Sequence, residues 1–416
     1  LMFISPVLTL LHALSTRSRV YKRYMLILFI TIYGSVINLL PGMDGTRHLE
    51  NVYDHYVGLS FVQFIDEIGD ILLFRLNPEL KGDLYIHVVS YLTGGLLGLP
   101  GLFFVVIAFV FGYFFAGSMF RLFQIFPTYK RSILFFLLAV IFVTLMGIER
   151  VNQIRTGTGL WILFYAFLSY QYTSKKKHLW LMLVPPLVHF GYFIMALPAW
   201  GVILAGNRKM IYAALFFISF STTLITPQGA TNQLSITELG KGRVQAYEEE
   251  ERIGIDENLE QYEQTNWYTQ YAKSGIVSWA VMGIAASFIL FGTYIKHMNI
   301  VESSLFSAGL LTKVLSNSTW FLSALTNRSD TTAIIFIMAA LLLFWQRHYM
   351  NDIKLPIGKI HHSILAVCGF ILAPYIIFKT AELIQLVNIF MFFAPFIPWF
   401  SEDFQISIRE FLGYFL

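Results

Sequence analysis

Two arginines and a histidine stand among the apolar runs of this 416-residue chain. Arg150 and Arg155 lie in G-I-E-R-V-N-Q-I-R-T-G-T-G, and His189 follows a helical hairpin later in V-P-P-L-V-H-F-G-Y-F. A charged side chain at membrane depth costs roughly 2.5–3.5 kcal/mol, so such residues are usually kept for a purpose. A guanidinium grips phosphate or diphosphate oxygens in a bidentate manner, and an imidazole takes up a proton near neutral pH. Plainer roles exist for each. The arginines could snorkel to lipid phosphates, and His189 could satisfy carbonyls freed by Pro185 and Pro186. Five residues turn an ideal helix through about 140°, so both arginines face one cavity only if Arg150 precedes the helix. Gly157 and Gly159 leave room beside Arg155 for a ligand or another helix. Arg155 is therefore the first candidate.

The elements that must position these residues are membrane helices. Of the residues, 56% are hydrophobic and 13% charged, against about 25% charged in an ordinary soluble domain. Apolar segments run at about 1–14, 24–40, 99–120, 132–148, 157–172, 179–192, 193–205, 209–226, 274–296, 303–325, 331–347, 363–379 and 382–398. This predicts an all-α polytopic membrane protein, a single integral membrane domain over 1–416 with about 11–13 transmembrane or re-entrant helices. The 179–205 pair is short for two spans and contains Pro185, Pro186 and Pro198, which predicts a bent or re-entrant hairpin. Basic residues follow the first apolar run instead of preceding it, which is not the pattern of a cleavable signal peptide. The single cysteine, Cys368, excludes an intrachain disulfide and a cysteine-based zinc site.

Orientation follows from the short connections. One alternating set of loops carries 16 lysines and arginines in very short stretches, while the other carries 11 over far longer ones. The first set is predicted to be cytoplasmic. Two long segments then fall outside. The first, about 41–98, includes the amphipathic stretches F-V-Q-F-I-D-E-I and Y-I-H-V-V-S-Y-L, expected as short helices along the membrane surface. The second, about 227–273, is an acidic loop with nine acidic and four basic residues.

On this topology Asp44, Arg47, Arg150, Arg155, His189, Arg328 and Asp330 share the outer side, from four parts of the chain. If they meet, they form a cationic cavity with one imidazole and one or two carboxylates, suited to a lipid-linked phosphate or diphosphate. Asp44, in G-M-D-G-T-R-H, also reads as a turn and helix cap, and Arg328 and Asp330 as a local pair. Segment 303–325 is polar enough to line a wet cavity. No Walker A loop, dinucleotide glycine loop or His-Glu-x-x-His pattern occurs, which disfavours a nucleotide-driven pump and a zinc protease.

These features resemble the EpsG/Wzy-type bacterial polysaccharide polymerases, integral membrane glycosyltransferases of the broad C type. The resemblance covers roughly 24–200. It rests on Asp44 followed by Tyr53 and Tyr56, the surface segment leading into L-Y-I-H-V-V-S-Y-L, the I-R-x-G pattern at Ile154–Gly157, and His189 one helix later. The chain departs from the family pattern at Gly45, where tyrosine is frequent, and at Gly159, where alanine is frequent. The resemblance implies a GT-C-like fold in the bacterial inner membrane and an active site facing the periplasm or exterior. It implies transfer of a growing glycan from undecaprenyl diphosphate to the sugar of an incoming lipid-linked repeat unit. The partners would be the lipid-linked donor and acceptor, the bilayer and a chain-length regulator, with no nucleic acid and no cofactor, and no carboxylate cluster in the sequence demands a metal. Arg155 and Arg150, with Arg328, would bind the diphosphate and stabilise the departing charge. His189 or Asp44 would deprotonate the acceptor hydroxyl. Arg47, Tyr53 and, in the acidic loop, Trp267 would hold substrate. A flippase for the same lipid-linked oligosaccharide, or a ligase moving finished glycan to another acceptor, shares much of this residue set.

Overall fold

The computed structural model describes residues 1–39, 44–73, 83–123, 133–222, 266–350, 354, 356–401 and 404–415. Most of the acidic 227–273 loop and parts of the 41–98 segment lie outside these. The described chain is nearly all helical, and its only extended pairing is an isolated bridge between Asn388 and Ser407.

Among the described residues, four helical stretches have the length and composition of membrane spans: Pro100–Leu122, Ile133–Asn152, Ser323–His348 and Lys359–Leu386. A fifth is Trp267–Lys273 with Ile276–Leu290, if that pair, bent by 50°, is one span. This is fewer than the 11–13 expected. Several predicted segments form shorter apolar helices, such as Pro6–Ser15, Tyr192–Ala205 and Lys209–Ser221. The predicted 363–379 and 382–398 segments are also redistributed. Helix continues to Leu386, and short 3-10 turns follow at Ile389–Met391 and Ile397–Trp399.

The chain divides into two compact units, Leu1–Gln124 with Met146–Tyr192 and Lys379–Leu416, and Ile125–Leu145 with Phe193–Phe378. The first is built on helix Ile154–Thr173, buried continuously from Gly157 to Ser169. It packs on helix Phe103–Leu122, which packs on helix Arg19–Ser35. Small residues permit this approach: a Cβ on Gly34 would overlap that of Ala108 and lie 2.6 Å from the Phe104 carbonyl oxygen. Gly159 has an equivalent use. A Cβ there would run into the ring of Tyr192, whose hydroxyl donates to the Thr156 carbonyl at 2.8 Å. The room beside Arg155 is thus taken by packing.

The proline-bearing segment breaks as its sequence requires, into Lys176–Leu181, Pro185–Val188, Tyr192–Met195 and Leu197–Ala205. Prolines sit in the first turn of the second and fourth pieces, where the missing N–H costs no helical bond. The amphipathic stretch after Ser60 forms helix Phe61–Leu72, started by a Ser60–Gln63 capping box.

In the second unit, helix Ile300–Ser318 lies against Ser323–Met350, where a Cβ on Gly309 would lie 2.6 Å from Ile337 Cγ1 and 3.1 Å from the Ala333 carbonyl oxygen. The polar face of Ile300–Ser318 is spent on neighbouring helices of this unit. Ser307 Oγ lies 2.6 Å from Tyr294 Oη, Lys313 binds Asp330 at 2.5 Å, and Arg347 binds Glu302 through two contacts of 2.7 Å.

Gly34→Val should destabilise the first unit by about 1–3 kcal/mol, since close-packed interiors resist added volume. Thermal denaturation in detergent checks this, and an unchanged melting temperature would be incompatible with the Gly34–Ala108 approach.

Candidate active site

The centre of the site is Asp83, a residue the sequence reading did not select. It occupies the N-cap position of helix Leu84–Ser90, yet its carboxylate makes no cap bond to that helix. It is 5% exposed. Its Oδ2 accepts from Arg155 Nη1 at 2.9 Å and lies 3.2 Å from His189 Nδ1, while Oδ1 accepts the Phe190 N–H at 2.9 Å. One carboxylate therefore holds the imidazole, the backbone after it and the guanidinium together.

Local structure explains the placement. His189 caps the two-proline helix Pro185–Val188 in an extended conformation, at φ −153° and ψ 124°, which turns its ring away from the helix direction. Arg155 is the second residue of Ile154–Thr173, so its side chain lies at that helix's entrance. Asp44 opens helix Asp44–Asn51 and lies 3.4 Å from Arg155 Nη2, 3.4 Å from Arg47 Nη2 and 3.5 Å from His48 Nε2.

Burial pushes both carboxyl groups up, and their partners reverse it. For Asp83 the His189 hydrogen bond and charge, then Arg155 and the Phe190 N–H, bring the pKa down to about 2. For Asp44 the His48 bond and the charges of Arg155, His48 and Arg47 hold it well below the usual carboxylate range. Both groups are anionic at neutral pH. The expected concentration of positive charge is accordingly matched: two guanidiniums face two carboxylates.

Four sequence-selected residues, Asp44, Arg47, Arg155 and His189, are thus gathered around Asp83. Arg150 is not among these contacts. It stands in the 3-10 turn Ile148–Asn152 before the helix, but its Nη2 lies 3.2 Å from Glu382 and its Nε 3.7 Å from Glu149. Lys379 completes that second network, 3.0 Å from Glu149 and 2.8 Å from Glu382. Tyr53 is 54% exposed on the π-helical turn Val52–Tyr56 and faces a separate cavity. Arg328 and Trp267 belong to the second unit. The Arg328 carbonyl accepts the Thr332 hydroxyl at 2.8 Å, and Trp267 begins helix Trp267–Lys273 with its ring edge-on to Tyr268. Among the described residues, no group of three or more His, Cys, Asp or Glu side chains is placed to hold a metal ion.

Asp83 had a legible but ambiguous signal. K-G-D-L before an apolar helix reads as a helix cap, a role in which aspartate is common. Its partners lie 72 and 106 residues away, a proximity no local pattern encodes. Compared with known proteins, the chain matches no family model, no curated protein and no solved structure.

Chemically, the anionic Asp83 accepts from His189 Nδ1, so that whenever the imidazole is neutral its lone pair lies on Nε2. Such a carboxylate–imidazole pair orients a general base and raises its basicity.

Because folding lowers the Asp83 pKa from its ordinary 3.8 to about 2, its stabilisation is full above 3.8 and is lost as pH falls through about 2. Asp83→Asn should flatten this part of the acid-denaturation profile. It should also cost roughly 3 kcal/mol at neutral pH, since it removes a buried carboxylate from a partly buried guanidinium and imidazole. Denaturation of wild type and variant between pH 5 and 2 gives the answer, and identical profiles would refute the ion pair.

Proposed function

We propose that the chain is a polysaccharide polymerase of the EpsG/Wzy type, a membrane glycosyltransferase that uses a polyprenyl-diphosphate-linked donor. The observation that carries this reading is the Asp83–His189 pair beside Arg155, a base held next to cationic side chains at the mouth of a buried helix. Its long apolar helices suit the bilayer in which such substrates reside. We further propose a GT-C-like arrangement in the bacterial inner membrane, with the site toward the periplasm or exterior. The loop charge asymmetry supports that orientation. Phe61, Val62 and Ile65, left exposed on helix Phe61–Leu72, support its lying at the membrane surface.

In this mechanism His189 Nε2 takes the proton of the acceptor hydroxyl as its oxygen attacks the anomeric carbon of the donor. The bond from that carbon to the diphosphate oxygen breaks, and undecaprenyl diphosphate departs with the electron pair. Asp83 stabilises the imidazolium that forms. Arg155 is already committed to Asp83 and Asp44, so it acts by fixing the base and by its field on the departing charge. Arg47, with about half of its side chain exposed, is the cation best presented to an incoming diphosphate. Asp44 positions both arginines and is not the base. Arg150 serves the Glu149–Lys379–Glu382 network.

Purified full-length protein incubated with a lipid-linked repeat unit, without nucleotide sugar, should yield a glycan ladder. His189→Ala should slow it by about 10²–10⁴-fold, and Arg47→Ala should raise the substrate concentration needed. Unchanged substrate, with a folded preparation that binds it, overturns glycosyl transfer in favour of transport. A wild-type ladder from His189→Ala removes the assigned base.

A further inference from the structure

A cavity of about 1440 Å³ opens in the first unit and includes none of the ionic cluster around Asp83 in its wall. Ligand pockets usually measure about 300–1,000 Å³, so this one is oversized for a single small molecule and suits an extended one. Its wall has two chemical characters. One part is apolar, with Leu28, Ile32, Leu39, Phe104 and Val105; the other carries Tyr53, Trp399, Gln385, Gln405, Arg409 and Glu410.

Within it lies a buried group whose hydrogen bonding is incomplete. Asn38 lines the cavity at 7% exposure, and its Oδ1 accepts from Asn388 Nδ2 at 3.3 Å. Its Nδ2 is buried without an acceptor. An unsatisfied buried donor costs about 1–3 kcal/mol, a penalty that a ligand oxygen at this point would remove. The half-exposed rings of Tyr53 and Trp399 add amphipathic surfaces that combine an apolar face with a polar edge.

The cavity also adjoins the candidate active site through one short element. Helix Asp44–Asn51 begins with Asp44 in the ionic cluster and carries Leu49 into the cavity wall, followed by Tyr53. On its buried side, Gly45 stands where a Cβ would lie 3.0 Å from Phe104 and 3.3 Å from Leu39, both wall residues.

We infer that this cavity is a binding site for a glycolipid, with the chain against the Leu28–Phe104 wall and a hydroxyl-bearing sugar at Asn38, Tyr53 and Trp399. Sugar hydroxyls accept from the orphan amide, and the amide and charged side chains of Gln385, Gln405, Arg409 and Glu410 match further hydroxyls. An apolar chain without a polar head leaves Asn38 unsatisfied, and a free sugar leaves the apolar wall wet. The choice of glycolipid rests on the glycosyl-transfer reading, in which both substrates are lipid-linked sugars; the cavity holds one, and helix Asp44–Asn51 links its wall to the ionic cluster through Asp44.

The test is equilibrium binding of radiolabelled dodecyl maltoside, below its micellar concentration, to the full chain in nanodiscs. Wild type should bind saturably and at least ten-fold more tightly than it binds dodecylphosphocholine, which has the same chain and no hydroxyls. Gly101 lines the cavity and has open space at its Cβ position, so Gly101→Trp should fill the cavity and weaken binding at least ten-fold. Asn38→Leu should abolish the preference for the sugar head. Should either variant fail to fold, Tyr53→Ala, at an exposed position, should still weaken dodecyl maltoside binding several-fold. Absence of saturable binding, binding unaffected by both Gly101→Trp and Tyr53→Ala, or equal binding of the two amphiphiles overturns the inference. Cavity-dependent binding by a wild-type protein that forms no ladder would retain this site and reject only the polymerase reading.

Discussion

The candidate site depends on one buried carboxylate. Asp83 joins residues from three places in the chain: helix Ile154–Thr173 through Arg155, the proline-broken segment through His189 and Phe190, and helix Leu84–Ser90 through its own backbone. Removing an ion from water is expensive, and the attraction of a single partner seldom repays it. Asp83 is tolerated because it receives a guanidinium, an imidazole and a backbone N–H at once. The same set of bonds fixes the tautomer of His189 and the direction of Arg155. Stability and the geometry of the candidate site thus come from one interaction.

The neighbouring ion network shows the alternative use of charge. Glu149, Arg150, Lys379 and Glu382 lie within 2.8–3.7 Å of one another in consecutive contacts, with Lys379 only 1% exposed. Two cations and two anions neutralise each other there and tie helix Pro374–Leu386 to the turn that precedes Ile154–Thr173. The second unit repeats the principle with Lys313–Asp330 and Arg347–Glu302. Cost alone does not separate a charge kept for chemistry from one kept for packing. Around Asp83 the distinguishing feature is a titratable imidazole in a partly accessible cluster, beside Arg47.

Much of the architecture was legible because it depends on local composition. The all-helical class, the amphipathic helix after Ser60 and the break at Pro185 and Pro186 follow from periodicity, capping residues and the missing proline N–H. The count of spans was less legible. Helices such as Ile154–Thr173 and Ile300–Ser318 are surrounded by protein, so their polar residues answer to neighbouring helices and not to lipid. Composition alone cannot distinguish those two surroundings. The glycines at 157 and 159 show the same ambiguity. Open space for a ligand and contact with a ring demand the same small residue, and here Phe111 and Tyr192 take the space.

By itself, the sequence determined the membrane-compatible helical class and narrowed the chemistry to a few out-of-place charges, with Arg155, His189, Asp44 and Arg47 among them. The cost of burying charge is set by residue type and by the apolar stretch around it, and both are read along the chain. Only the tertiary structure decided which charge answers which. It joined Arg155 and His189 through Asp83, assigned Arg150 to Glu382 and Glu149, and turned Tyr53 toward a separate cavity. Ion pairs form between side chains a few ångströms apart in space, while their sequence separations here reach 232 residues. No residue's own identity specifies that distance.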